Sequence, residues 1–461
     1  MAERTLPAPR PRSLELSLQR LNRNIVELAL PAVAENLLMT VVFFADTFLI
    51  GWLRDPSALA AVGLSGTFMQ ILQAIFQALS ISATSMVARL CGARQPERAA
   101  RVAAQVISLA TVVAVVVSLS VWVAAPQLFR LMGASPETAR LGTQYLRLVL
   151  LTSFAGYPMA VFNGIMRGSG DTRTPMYLTG IMNVWNVIAA GLLIFGAGPL
   201  PRLGVVGAGL ATASARLLGG ALAFGVLVRG RGTVQVRPRQ LLRWDGQIMR
   251  SLVRLSLPTA GEAAVRQTGS VLFMRIVYAL GDVAAAAHQV AVSVESLSFM
   301  PGLGMSVAGT TLVGQSLGAG KTDLAEKSAG RAVAFAVGIM GGVGVAFALF
   351  GPAIASLFGA TPEVVGAAGS AVRIGALEQV PLAVYMTTAG CLRGAGDMKS
   401  PMYATMLGVL LLRVPVVYLF ALVFGWGLNG VWLGTAVDWC GRMLIVGWLY
   451  RRGAWKRLRL A

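Results

Sequence analysis

The chain has little charge for its length. Only 13% of its 461 residues are Asp, Glu, Lys or Arg, against 56% hydrophobic residues and a mean hydropathy of +0.70. That supply of charge cannot cover soluble domains of this size, so a cytosolic globule is excluded. Cysteine is scarcer still: Cys91, Cys391 and Cys440 are too few and too scattered for a disulfide framework or a Cys-x-x-Cys metal site. The lone histidine, His288, cannot complete a zinc site with them. No convergent nucleophile, base or metal set is in view, so neither an enzymatic reaction nor a cofactor is expected. The first twenty-odd residues lack an apolar core and a small-residue cleavage motif. They read as a basic cytoplasmic tail rather than a signal peptide.

What the chain has is small and apolar residues, 53 of them glycine, the composition of packed membrane helices. A helix crossing a hydrocarbon core of roughly 30 Å needs about 20 mostly apolar residues. Runs of that length, bounded by Arg, Pro or Gly clusters, fall at 25–53, 58–88, 102–124, 138–165, 174–196, 204–228, 248–280, 284–316, 329–351, 365–391, 400–424 and 428–450. The expectation is an all-α membrane protein with twelve transmembrane helices.

Charge placement tests that count independently. Twenty-seven Lys and Arg residues fall on one side of the alternating connections, among them Arg89, Arg94, Arg98 and Arg101, the group Arg229 to Arg250, and Arg451 to Arg459. The opposite side receives Arg54, Arg130 and Arg202. This asymmetry predicts a multi-pass protein of the cell (inner) membrane with both termini cytoplasmic. The formal net charge of +20 would otherwise point to nucleic acid, but it is spread over loops beside an anionic membrane surface, so lipids are the expected macroscopic partner.

The chain also repeats itself. Residues 164–177, GIMRGSGDTRTPMY, return as GCLRGAGDMKSPMY at 390–403, an offset of 226. Leu30, Pro31 and Glu35 return as Leu257, Pro258 and Glu262, an offset of 227. The twelve helices therefore form two homologous six-helix lobes of equal orientation. The domains predicted are a basic tail at 1–22, a first lobe at 23–228, a cytoplasmic linker at 229–247, a second lobe at 248–450 and a basic tail at 451–461. The Gly-rich RGSGD and RGAGD loops lack the Lys-Ser/Thr of a phosphate-binding loop. Their Arg and Asp are expected to tie the fourth helix to the fifth and the tenth to the eleventh.

With these features together, the chain resembles the multidrug and toxic compound extrusion (MATE) family along nearly its whole length, with a flavour closer to the DinF-like branch. The carrying residues are Leu30-Pro31, Ala45-Asp46-Thr47, the two RGxGD loops, Ala286-Ala287-His288-Gln289, Ser298 to Gly302 and Val313-Gly314-Gln315. The resemblance implies a monomeric secondary antiporter that exports organic cations or amphipathic drug-like molecules by alternating access, in exchange for transported H⁺ or Na⁺. A lipid-linked precursor flippase is the alternative; several cavity arginines would suit its phosphates.

Ionisable residues inside a membrane are costly and need a partner or a task. Asp46 lies in the outer half of the first helix, and its repeat position is Phe273, so its carboxylate belongs to one lobe only. The resemblance assigns it to the coupling ion; the other reading is a structural hydrogen-bond acceptor. Pro31 is a candidate hinge or a static kink. Asn183, Asn186 and Thr212 offer neutral oxygens, and Asn186 matches the fifth-helix Asn of the family's ion site. Many relatives carry an Asp four residues further on, whereas this chain has Ala190 and no acidic residue between Asp171 and Asp245. That departure favours H⁺ over Na⁺. In the second lobe Glu262, Glu295, Glu378 and Asp438 share one depth and are expected to cluster, with Glu262 paired to Arg266 and Asp438 to Arg442 at i,i+4 spacing. Glu35, Glu262, Glu295, Glu378, His288 and Gln289 are the candidates for a polar substrate or proton site, His288 because an unperturbed imidazole titrates near neutrality.

Overall fold

The computed structural model describes residues 15–196, 201–230, 234–359 and 361–458. The first fourteen residues of the basic tail, with Arg4, Arg10 and Arg12, and also Arg231 and Arg459, lie outside the described residues.

The described residues form helices and no strands. Twelve long segments follow one another as expected. They are α1 (Leu21–Gly51), α2 (Pro56–Gly92), α3 (Pro96–Leu131), α4 in two pieces (Pro136–Leu151 and Ser153–Ser169), α5 (Arg173–Phe195) and α6 (Gly204–Arg229). The second set is α7 (Gly246–Ala279), α8 (Asp282–Gly318), α9 (Thr322–Ser356), α10 (Pro362–Gly394), α11 (Lys399–Val423) and α12 (Gly427–Arg451). Proline at the first position starts several of them, where its missing N–H costs nothing. At α2 the Asp55 carboxylate also accepts from the Ser57 amide at 2.9 Å. Among the described residues, eight segments, or nine with the two pieces of α4 as one span, are long and apolar enough to cross a membrane. The other three, α7, α10 and α12, are no shorter but combine acids with arginines, Glu262 with Arg254 and Arg266, Glu378 with Arg373, and Asp438 with Arg442.

The chain divides into two compact units. One contains Ala34–Val253, the other Glu15–Val33 and the chain from Arg254, so α1 and α7 are each divided between them.

In the first unit α2 crosses the second piece of α4 at Gly164 and Gly168. A Cβ at either glycine would lie 2.5 Å from the carbonyl oxygen of Ser80 or Thr84, so no larger residue fits. The Ser80 and Thr84 hydroxyls donate across the crossing to the carbonyls of Ala160 (2.8 Å) and Gly164 (2.9 Å). This is the small-residue packing of membrane helices, which lets backbones approach closely where hydrophobicity gives no drive. The two pieces of α4 meet at a 61° bend. Thr152 stands at the break, its hydroxyl donating back to the Val149 carbonyl at 3.1 Å, the local competition with the helix ladder that bends helices.

The second unit repeats the crossing with Gly390 and Gly394 of α10 against Ser306 and Thr310 of α8, and Thr310 again donates to the Gly390 carbonyl, at 2.8 Å. Here α10 runs unbroken through the position equivalent to Thr152. The irregularity lies in α11 instead, where π-helical turns at Gly408–Arg413 and Leu419–Val423 flank Pro415. Proline has no N–H for the ladder, and widened turns absorb the mismatch. The core of this unit packs Phe273, Val277, Ala287, Ala291, Val417, Val431 and Trp432.

Candidate functional site

The first unit holds a polar group built on four helices. Asp46 of α1 is half-buried and interacts electrostatically with Tyr145 of α4 and Arg216 of α6. Tyr145 is hydrogen-bonded to Thr212, and the Asn186 amide of α5 donates to the Thr212 hydroxyl at 3.5 Å. The Asn186 carbonyl oxygen is buried and unpartnered, free to accept a proton donor or a cation. Arg216 sits over the Tyr157 ring at 5.2 Å in space that Gly156 leaves open, since a Cβ there would meet the arginine stem at 2.9 Å. Among the described ion pairs none involves Asp46. Ala190 is 1% exposed and packs among Ile50, Tyr145 and Ile194, so the place that relatives give to a second carboxylate is filled by apolar contacts.

Asn183 stands elsewhere: its amide donates to the Leu38 carbonyl at 2.9 Å and ties α5 to α1. Glu35 also lies away from Asp46. It is 1% exposed and accepts from Arg167 at 2.6 Å and from Asn163 at 2.9 Å.

In the second unit Glu262 is held by Arg393, whose Nη2 donates to both carboxylate oxygens at 2.7 and 2.9 Å, and by the Thr405 hydroxyl at 3.2 Å. This corrects the expected i,i+4 pairing: Arg266 acts on Glu262 only as a weaker electrostatic neighbour. The same geometry corrects the reading of the RGxGD loops. Their arginines reach back to the first helix of each repeat, Arg167 to Glu35 and Arg393 to Glu262. Their aspartates cap the next helix: Asp171 accepts from the Thr174 amide and hydroxyl at 2.9 and 2.6 Å, Asp397 from those of Ser400 at 3.0 and 2.6 Å.

The remaining acids do cluster. Glu295 of α8 and Glu378 of α10 are hydrogen-bonded to each other, and Glu378 also to Thr435. Asp438 is fully buried and forms the expected pair with Arg442, at 2.7 and 2.6 Å, plus an ion pair with Arg413 at 2.7 Å. Both guanidiniums lie over the Trp439 ring, at 5.0 Å for Arg413 and 4.6 Å for Arg442. His288 is buried between the rings of Phe273 and Trp432, 5.3 and 5.8 Å away, with Nδ1 unpartnered and Arg413 acting on it electrostatically. Gln289 is exposed and its side chain makes none of these contacts.

Sequence reasoning missed Tyr145 and the partnership of Arg216. One signal was present: Arg216 and Arg442 stand at the same 226-residue offset as the repeated loops.

Comparison with known proteins agrees with this architecture. The MatE family model matches residues 31–192 and 258–419, once in each repeat. A probable multidrug resistance protein NorM of Thermotoga maritima is 31% identical over 438 residues, covering 95% of this chain and 94% of its own. A crystal structure of MATE in complex with MaD5 superposes with a TM-score of 0.88 at 26% identity, covering 98% of this chain and 100% of that one. MATE crystal structures in a straight and a bent conformation give TM-scores of 0.87 and 0.86 at 26% and 27% identity, each covering 95% of this chain and 97% of the other.

Proposed function

The chain belongs to the MatE family, and from that premise we propose that it is a multidrug exporter that extrudes organic cations and amphipathic drug-like molecules in exchange for protons, with Asp46 as the coupling carboxylate. The observation that carries this reading is the isolation of Asp46. Among the other buried acids, Glu35 is matched by Arg167 and Asn163, Glu262 by Arg393 and Asp438 by two arginines, while Glu295 and Glu378 are buried against each other and share a hydrogen bond that needs a proton on one of them. Asp46 alone is half-exposed, in no ion pair among the described residues, and surrounded by neutral donors and one arginine held on a tyrosine ring. A carboxylate so placed takes up and releases a proton without dismantling a salt bridge.

Proton coupling is favoured over sodium because a hard cation needs several oxygens and preferably a second formal charge to offset dehydration. Asn186 and Thr212 supply oxygens, but Ala190 supplies neither charge nor ligand. Pro31 would serve as the hinge: the division of α1 between the two units falls two residues beyond it. A flippase is disfavoured because the second-unit arginines that would bind phosphates, Arg393, Arg413 and Arg442, are each engaged by a carboxylate. Transport of a fluorescent cation such as ethidium into everted vesicles, with the proton and sodium gradients collapsed separately, tests this reading. Loss of transport on collapsing the proton gradient alone is expected; uphill transport driven by sodium with a protonophore present overturns it.

A further inference from the structure

The first unit carries an apolar groove on its outer surface between α3, the second piece of α4 and α6, about 310 Å³ in volume and lined by Ile107, Phe154, Phe162, Leu217, Phe224 and Leu227. Phe154, Leu217 and Phe224 are 42 to 48% exposed, so the groove opens outward rather than into the Asp46 site. Along α6 it runs from Leu217 to Leu227, about 15 Å at the rise of an α-helix, which is the depth of one leaflet of a bilayer core.

One end of this groove is roofed by the segment that joins the two repeats. Val236 donates its amide to the carbonyl of Leu227, itself a groove residue, at 3.2 Å. On the other wall Ser108, next to the groove residue Ile107, donates to the Leu241 carbonyl at 2.7 Å, while Gln105 donates to the Arg243 carbonyl and accepts from the Asp245 amide at 3.1 Å. The linker is therefore fixed at the groove mouth largely by its backbone, and its arginine side chains reach the surface. Arg237, Arg239 and Arg243 are exposed there, and among the described residues no carboxylate pairs with them. Between and beside them Leu242 is 83% exposed and Trp244 57% exposed. Arginines alternating with a bare leucine and tryptophan belong at the boundary between headgroups and acyl chains.

We propose that this is a binding site for one anionic phospholipid, with an acyl chain lying in the groove and the headgroup phosphate held by Arg237, Arg239 and Arg243. Charge complementarity selects the headgroup, because a zwitterionic lipid carries a cation that those arginines repel, and the leaflet-long groove selects a chain-bearing molecule over a free phosphate. The proposal does not rest on the coupling reading, since Asp46, Asn186 and Thr212 are not among the residues that line the groove.

Native mass spectrometry of the purified full chain, with phosphatidylglycerol or phosphatidylcholine of identical acyl chains added, reads the site directly. Retention of phosphatidylglycerol in clear preference to phosphatidylcholine is expected; equal retention overturns the proposal. The exposed triple substitution R237Q/R239Q/R243Q should weaken phosphatidylglycerol retention by about 100-fold, at about fivefold per arginine near an anionic surface. Ala221→Trp, which fills the groove from an exposed position on its wall, should weaken it comparably with the arginines intact. Undiminished retention in either variant overturns the proposal, as does full displacement of the lipid by glycerophosphoglycerol, which has the headgroup without the chains.

Discussion

The two halves of the molecule agree where they hold themselves together and differ where they hold charge for another purpose. Each ties its first helix to its fourth by a buried glutamate–arginine pair, Glu35 with Arg167 and Glu262 with Arg393. Each crosses its second and fourth helices on two glycines against a serine and a threonine. These features survive in both copies because both copies need them to fold. Asp46, by contrast, has Phe273 as its counterpart; Thr212 has Asp438; Thr152, at the bend of α4, has Glu378 in a straight α10. Non-repeated polar residues therefore mark what each half does, and the repeated ones mark what each half is.

The largest effect expected from this division is functional. Asp46→Asn keeps the shape of the side chain and removes the charge it cycles, so proton-coupled export should be abolished while the purified protein retains its melting temperature. Resistance of cells to drugs at the wild-type level with this substitution would break the comparison at its most informative position.

The next effect falls on stability and should be equal in the two halves. Removing Arg167 or Arg393 by alanine leaves a glutamate that is 1 or 3% exposed with its principal counter-charge gone, a loss of about 3–5 kcal/mol. Glu35→Gln and Glu262→Gln should cost less, because an amide keeps hydrogen bonds and buries no charge. Thermal unfolding in detergent measures all four. If Arg393→Ala stays folded but loses transport while Arg167→Ala simply unfolds, the second pair has a task beyond structure.

A smaller and one-sided effect is expected at Gly408. Its α-carbon faces the Asp438–Arg442 pair so closely that a Cβ would lie 2.5 Å from the Arg442 Nε and the Asp438 Oδ1. Gly408→Ala should cost about 1–3 kcal/mol as the pair is pushed apart. Met182, at the equivalent place in the first half, should accept alanine with the milder loss of a partly exposed side chain.

Much of this architecture was legible in the sequence because membrane helices announce themselves by length and charge asymmetry, and twelve runs became twelve segments. The Asp438–Arg442 pair was legible for a local reason: its partners are one helical turn apart. The partners of Glu35 and Glu262 were not, since Arg167 and Arg393 lie more than a hundred residues away and Arg266 offered a nearer counter-charge. The repeat did contain the answer, because both members of each pair recur together. The bend of α4 was illegible, as Thr152 breaks the helix without proline or glycine at that point. Likewise Tyr145 reached the Asp46 group through a fold in α4 that no local pattern prescribes.

The smallest effect separates two asparagines that sequence alone treated alike. Asn183 and Asn186 lie three residues apart on α5, and both read as ligands for a coupling ion. Asn183 gives its amide to the Leu38 carbonyl, a tie between helices. Asn186 keeps its carbonyl oxygen buried and unpartnered beside Thr212. Loss of a single neutral hydrogen bond is worth about 1 kcal/mol, so Asn183→Ala should lower the melting temperature slightly and leave the pH profile of export in place. Asn186→Ala removes that unpartnered oxygen together with the long 3.5 Å contact to Thr212, so it should cost no more stability than Asn183→Ala and should shift the pH profile. Export rates measured against pH in proteoliposomes distinguish the two. A shifted profile from Asn183→Ala and an unshifted one from Asn186→Ala would reverse their roles and move the coupling site along α1 toward Leu38.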